Sequence, residues 1–438
     1  MAETKLSCQD LIVGGGMQGM MAARSCSQLG RDFILIDMAQ ALGGILKPVE
    51  LGGYTLDPGC HIWGHRERNN IDFFEQELGI RMIPVVGHCE ISISDDGIPR
   101  RKLAVPSFES RDTSTRMEAA SLAAQVTTDQ LASWSFSEIC HEALGPDLGE
   151  SLLGSAAKLY GRDPADLSIE AVRQMAISRI KLHTCHELAQ IREQPHDLGP
   201  LLCSHPLDEK SDEFTKFWYP SGGLGHLLAE YLGWLQCRAQ SLHFGESPRE
   251  LHLGEPGTHG VLRTRDKSIR FERIMWCCNP LALSSLMDWD KPARESTAGS
   301  PFRTFFFRLD DAGHPVEYSH DFRVESPIFR SWVPPMEMAP DSRSRFVIVE
   351  SPIAKPGAEV VAHMTVELER IHELGSGQLH HLGSKSQVRF YPTMSYLGWL
   401  GNFTSNCTSA EKGVLIPPAP LYGKDVITDW WERACHPQ

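Results

Sequence analysis

Apolar positions along this chain change period several times, and each change marks an element. Leu11 to Val13 and Phe33 to Ile36 are unbroken apolar runs, as expected of strands covered on both faces. A glycine turn and the first turns of a helix lie between them. Asn70 to Leu78 predicts a short amphipathic helix closed by Gly79. From roughly 108 to 215 the pattern is helical, with Leu122 to Gln125, Phe136 to Leu144 and Leu152 to Tyr160 spacing apolar residues three and four apart. Asp166 or Ser168 is placed to cap a further helix from Ile169. Phe217 to Leu232 reads as an aromatic run, a glycine turn and an amphipathic helix. Short strands follow around Leu251, at Val261 to Arg265 and at Arg270 to Cys278. Phe302 to Leu309 alternates strongly, and Phe322 to Pro334 and Arg345 to Ser351 extend the same sheet. Val361 to Leu374 and Lys424 to Cys435 predict the last helices.

This order predicts an α/β chain. A Rossmann-type dinucleotide domain is interleaved with an α+β substrate domain, the latter a mixed or antiparallel sheet plus helices. Gly14, Gly16 and Gly19 fit the spacing G-x-G-x-x-G directly after the first strand. The first glycine allows the sharp turn, the second a close approach of backbone to pyrophosphate, the third helix–strand packing. Met17 and Gln18 open the helix, whose N-terminal N–H groups and dipole favour a phosphate. Asp37 ends the second apolar run about twenty residues on, where a ribose-binding carboxylate belongs, and Met38 follows it.

The formal net charge of −14 argues against nucleic acid or an anionic membrane as a partner. A small-molecule substrate remains, including an anionic one, because local arginines decide that. No apolar run reaches the roughly 18 residues of a membrane span, and the first strand follows the N-terminus too closely for a signal peptide. The 12 cysteines include no C-x-x-C pair, so reduced thiols and a cytoplasmic location are expected. Cys277 and Cys278 lie in an apolar run and read as buried thiols. His183 and His186 have no second ligand cluster, and no metal is expected.

Leu11 to Gly64 resembles the N-terminal region of the flavoprotein superfamily that includes amine oxidases, protoporphyrinogen oxidase and UDP-galactopyranose mutase. Gly43 and Gly44, with Ile45 after them, match its glycine pair. Gly53, Tyr54, Leu56, Asp57, Gly59, His61 and Trp63 match a second block that a nicotinamide domain has no reason to carry. Lys158, Gly161, Asp163, Pro164 and Leu167 look like a third block, of the protoporphyrinogen oxidase and mutase branches. Tyr219 to His226 is similar to a fourth, and Ile274 to Pro280 sits where the family's chain returns to the cofactor domain. The resemblance implies FAD. It divides the chain into FAD-binding parts at 1–107, 216–299 and 399–438, a helical substrate part at 108–215 and a substrate sheet at 300–398. Gly401 and Asn402 are the candidates for the family's C-terminal flavin contact. An insert, Phe403 to Tyr422, separates them from the last helix.

The resemblance places His61 beside the flavin ring, where it is a candidate to orient flavin or substrate. Lys158 is a candidate for an anionic substrate group. Arg303 and Arg330 project from aromatic strands, where an arginine needs an anion or a fixed carboxylate to be buried. Arg330 resembles the mutases' diphosphate-gripping arginine. The expected function is an FAD-dependent oxidoreductase transferring hydride from a small molecule to flavin. The alternatives are a redox-neutral sugar-nucleotide mutase or related carbohydrate-biosynthesis enzyme, and a catalytically inactive FAD-binding scaffold.

Overall fold

The computed structural model describes residues 3–64, 68–85, 89–93, 99–101, 112–127, 130, 133–168, 217–254, 258–292, 300–311, 313–335, 345–353, 357–389, 393–407, 413–417, 430, 431 and 433–435. Two large sheets organise them. The first runs β10 (Ser241–Phe244), β2 (Phe33–Asp37), β1 (Thr4–Val13), β13 (Lys267–Trp276), β12 (Gly260–Arg263) and β11 (Glu250–His252), with β19 (Val414–Leu415) also on β13. β10, β2, β1, β13 and β19 pair in parallel, while β12 and β11 form an antiparallel edge.

The unbroken apolar runs are explained by helices on both faces. Ile12, Leu35 and Met275 share a core with α1 (Met17–Gln28), α2 (Arg68–Gln76) and α5 (Gly223–Gln236). Leu11, Val13, Ile34, Ile36 and Trp276 point the other way, towards α6 (Pro280–Leu286) and α8 (Met394–Cys407). This is the Rossmann-type arrangement the sequence predicts.

The second sheet runs β18 (Leu379–Arg389), β14 (Ser300–Leu309), β17 (Arg345–Ser351), β16 (Arg330–Val333), β15 (Glu317–Asp321), β7 (Cys89–Ile93) and β8 (Pro99–Arg101). It is antiparallel except where β7 lies parallel to β15. β7 and β8 correct the expected boundary at 107: the chain has already crossed into the second sheet by Cys89. Two small sheets join the halves, the hairpin β3 (Val49–Leu51)–β4 (Tyr54–Leu56) and the set β5 (Trp63–Gly64), β9 (Phe217–Pro220) and β6 (Met82–Pro84).

Strand alternation gives the second sheet two distinct faces. Phe306, Trp332, Phe346 and Ile348 meet Tyr54, Leu56 and Tyr219 of the first half. Phe305, Phe307, Val333, Val347 and Val349 are covered by α7 (Ala358–Ile371) through Met364, Leu368 and Ile371. At one end α3 (Thr113–Gln125) and α4 (Phe136–Tyr160) build a helical core with Phe302 and Phe329. A capping box of Ser135 and Glu138 starts α4, and Gly161, at φ 58°, ends it. The helix expected from Ile169 and the pair His183 and His186 lie outside the described residues.

Candidate functional site

The glycine turn is sterically exacting. A Cβ on Gly19 would lie 1.7 Å from the Gly14 carbonyl oxygen, so only glycine lets α1 sit so close to the end of β1. Gly14, at φ 110°, is closed in by Cys278, whose Sγ would be 2.6 Å from an added Cβ. Gly16 caps α1, and Met17 and Gln18 begin it. Gly43 donates to the Gly15 carbonyl at 2.9 Å and so fixes the glycine pair over the turn. A Cβ on Gly44 would lie 3.3 Å from the Cα of Gly16. The two backbones thus face each other with no side chain between them.

Asp37 stands at the C-terminal end of β2. It accepts from the Gly15 N–H at 2.5 Å and from the Ala39 N–H at 2.7 Å, which fixes its orientation at the cradle. Each carboxylate oxygen keeps a lone pair for a further donor. Met38 and Ile45 flank the same stretch and are 60% and 73% exposed, an unusual state for large apolar side chains. Gln18 accepts from the Trp431 indole N–H at 3.2 Å, bringing the C-terminal segment onto α1.

The second sequence block is tied to the fourth through Asp57. This buried carboxylate accepts from the Tyr219 hydroxyl and, at 3.0 Å, from the Leu224 N–H in the first turn of α5. Burial pushes its pKa up to about 7, with the Leu224 N–H opposing the rise. Strand pairing of Trp63 with Trp218 adds a second tie. Gly59, at φ 141°, brings this block onto the second sheet. A Cβ there would lie 2.5 Å from Glu350 Oε1 and 3.7 Å from His61 Nε2. His61 therefore stands where the glycine-rich half meets Glu350.

Arg330 also stands at this junction. It donates to Glu350 through Nε at 2.5 Å and Nη2 at 2.8 Å, and through Nη1 to the Tyr318 hydroxyl at 3.4 Å. Burial disfavours its charge, but Glu350 and Tyr318 outweigh that and hold its pKa well above the ordinary value. The anion it meets in the fold is Glu350. Neither Glu350 nor Tyr318 belongs to a sequence motif. The available signal is register: Glu350 alternates with Phe346 and Ile348, an acid on an otherwise apolar strand face.

Three expected site residues have structural roles in the fold. Lys158 donates to the carbonyls of Asp321 at 3.1 Å, Arg323 at 2.6 Å and Ile328 at 2.8 Å. An ammonium has three N–H donors, so the fold uses all of them, and Lys158 clamps the β15–β16 loop. Ser155, one helical turn before it, donates to the Phe322 carbonyl at 2.6 Å. Gly401 and Asn402 are exposed residues inside α8, on the face away from Tyr396, Leu400, Phe403 and Cys407. The C-terminal return to the first sheet comes later, at β19 and Trp431. Of the expected insert, 403–407 completes α8 and 413–417 includes β19.

The family described as NAD(P)-binding Rossmann-like domain matches residues 12–76, the cradle and the second block. No curated protein matches the chain by sequence. Among solved structures, wild-type putrescine oxidase bound to putrescine aligns at 14% identity, covering 98% of each chain, with a TM-score of 0.68. A reduced UDP-galactopyranose mutase aligns at 13% identity over 98% of this chain and 93% of its own, TM-score 0.67. Cyclohexylamine oxidase from Brevibacterium oxydans IH-35A aligns at 13% identity over 98% of each, TM-score 0.65. The chain therefore shares its fold with these two oxidases and this mutase over 98% of its length. Among the described residues no helix is long and apolar enough to cross a membrane.

Proposed function

We propose that this chain is an FAD-dependent oxidoreductase of a small molecule, with the cofactor along the glycine cradle and the substrate against the Arg330–Glu350 face. The observation that carries this reading is the bare apposition of Gly16 and Gly44 at the N-terminus of α1. Backbone N–H groups and the helix dipole there favour a pyrophosphate. Gly14, Gly16, Gly19, Gly43 and Gly44 would hold it, and Asp37 would accept from a ribose hydroxyl. Met17, Gln18, Met38 and Ile45 would line the path, which accounts for the exposure of Met38 and Ile45.

When bound, FAD supplies an acceptor for the hydride of a C–H bond next to nitrogen or oxygen. The chain's own residues bind, orient and shield. Asp57 locks the second block to α5, so that Gly59 and His61 are fixed against Glu350. His61 is a hydrogen-bond partner for cofactor or substrate near neutral pH. The Arg330–Glu350 pair brings oriented dipoles but little net charge to this face. That suits a substrate without a strong anionic group better than a diphosphate.

A redox-neutral sugar-nucleotide mutase is the second reading, favoured by the likeness to the reduced mutase. Purified protein separates these readings from an inactive scaffold. Denaturation should release FAD, and amines or polyols should reduce a dye through the enzyme. Rearrangement of a sugar nucleotide only after dithionite reduction would instead establish the mutase. FAD without either activity, across both substrate classes, would leave the scaffold.

A further inference from the structure

On the α7-covered face of the second sheet, away from Arg330, lies a polar cluster that the proposed reaction does not use. His314 precedes β15, Glu317 begins it, and His372 follows the last residue of α7. All three are buried. Glu317 Oε2 is 3.3 Å from His314 Nε2 and 2.8 Å from His372 Nδ1. One ligand atom from each of the three lies within 4.8 Å of the others.

The ligand set of this cluster needs an explanation. Glu317 forms ion pairs only with these two imidazoles among the described residues. Arg345 holds the turn before β15 in place by donating to the carbonyls of Pro334 and His314. Two imidazoles and one carboxylate are a recurring ligand set for zinc. With ~2.0–2.2 Å metal–ligand bonds, neighbouring donor atoms sit about 3.3 Å apart in a tetrahedron. The Glu317–His314 spacing already has that value, and the His372 contact needs to open by about 0.5 Å.

The outer nitrogens supply an independent observation. His372 Nε2 is 2.8 Å from Ser331 Oγ, which is 2.7 Å from Ser319 Oγ. His314 Nδ1 faces Asp311 Oδ2 at 4.0 Å. Each imidazole thus turns its inner nitrogen to the shared carboxylate, and His372 has the outer hydrogen bond that fixes a metal-binding tautomer.

We propose that His314, Glu317 and His372 bind one zinc ion that ties the end of α7 and the 314–317 turn to β15. A water or the second oxygen of Glu317 completes the coordination. The ion is structural, with no part in the reaction.

The test uses full-length protein purified without chelator and then given excess zinc and desalted. Elemental analysis should find close to one zinc per chain. Cobalt in its place should give visible ligand-field bands of tetrahedral intensity. A strong chelator should lower the melting temperature by about 4 °C or more. His372→Ala and Glu317→Gln should each reduce zinc to background and make melting insensitive to chelator. If His372→Ala does not fold, Glu317→Gln and the chelator response of the unaltered chain decide. Zinc below a tenth of an equivalent after loading, or zinc retained by a folded Glu317→Gln, would overturn the proposal. The cluster would then be a hydrogen-bonded core that carries a proton.

Discussion

The C-terminal end of the parallel sheet and the antiparallel sheet place polar groups in opposite ways. At the end of the parallel sheet glycines bring bare backbone up to the N-terminus of α1, with Asp37 held beside it. On the antiparallel sheet the polar groups are side chains, and the conspicuous ones are already paired: Arg330 with Glu350, and Lys158 with three carbonyls. A bare backbone cradle can be read from residue types, because at Gly14 and Gly19 steric exclusion leaves glycine as the only choice. A paired side chain cannot, because its partner arrives from elsewhere in the chain. The first region is built to receive a ligand, whereas the second satisfies most of its own charge.

The contrast can be broken most forcefully at Glu350. Glu350→Ala leaves Arg330 buried without its carboxylate and should cost about 3–5 kcal/mol of stability, seen as a lower denaturation midpoint. The double replacement Arg330→Met with Glu350→Leu should recover most of that loss. If the double variant is stable and fully active, the pair only holds the sheet; if it is stable and inactive, the pair faces substrate.

Lys158→Met strands three carbonyls and should cost about 1–3 kcal/mol, leaving the FAD content of the folded protein unchanged. Lost turnover at unaltered stability would instead restore Lys158 as a catalytic candidate.

Asp57 tests the junction between the halves through pH. Its folded pKa, about 7, is raised above the unfolded value. Between about pH 4 and 7 the folded state therefore binds the extra proton, and stability falls as pH rises through that window. Comparison with Asp57→Asn should isolate the decline, which the amide variant lacks. Equal pH profiles would show that Asp57 is ionised throughout.

The smallest effect is expected at Gly401. It lies in an exposed helix interior with open space around it, so Gly401→Ala should stabilise by about 0.5–1 kcal/mol and leave the cofactor untouched. Loss of FAD in this variant would return Gly401 to the cofactor site.

Legibility in the sequence followed the same division. The strand, turn and helix from Leu11 to Ala23, the acid at Asp37 and the glycine pair at 43 and 44 all take the places expected of them. Their positions depend on local sterics and on short-range periodicity. The block from Gly53 to Trp63 and the one from Tyr219 to His226 were legible separately. That Asp57 joins them was not, because hydrogen bonding across 167 residues leaves no periodic trace.

Gly401 and Asn402 are a different case. Tyr396, Leu400, Phe403 and Cys407 repeat at helical spacing, so the helix that carries them is readable from periodicity. The His314, Glu317 and His372 cluster was out of reach: the third residue is 55 positions beyond the second, and only the fold brings them together.

The central claim is that the bare cradle is a cofactor site, and the most direct measurement is the visible spectrum of the purified protein with quantitation of FAD after denaturation. The account predicts flavin absorbance and close to one FAD per chain, abolished by Gly19→Val because that side chain meets the Gly14 carbonyl. A folded chain that carries no flavin, and takes up none when FAD is supplied, would contradict it.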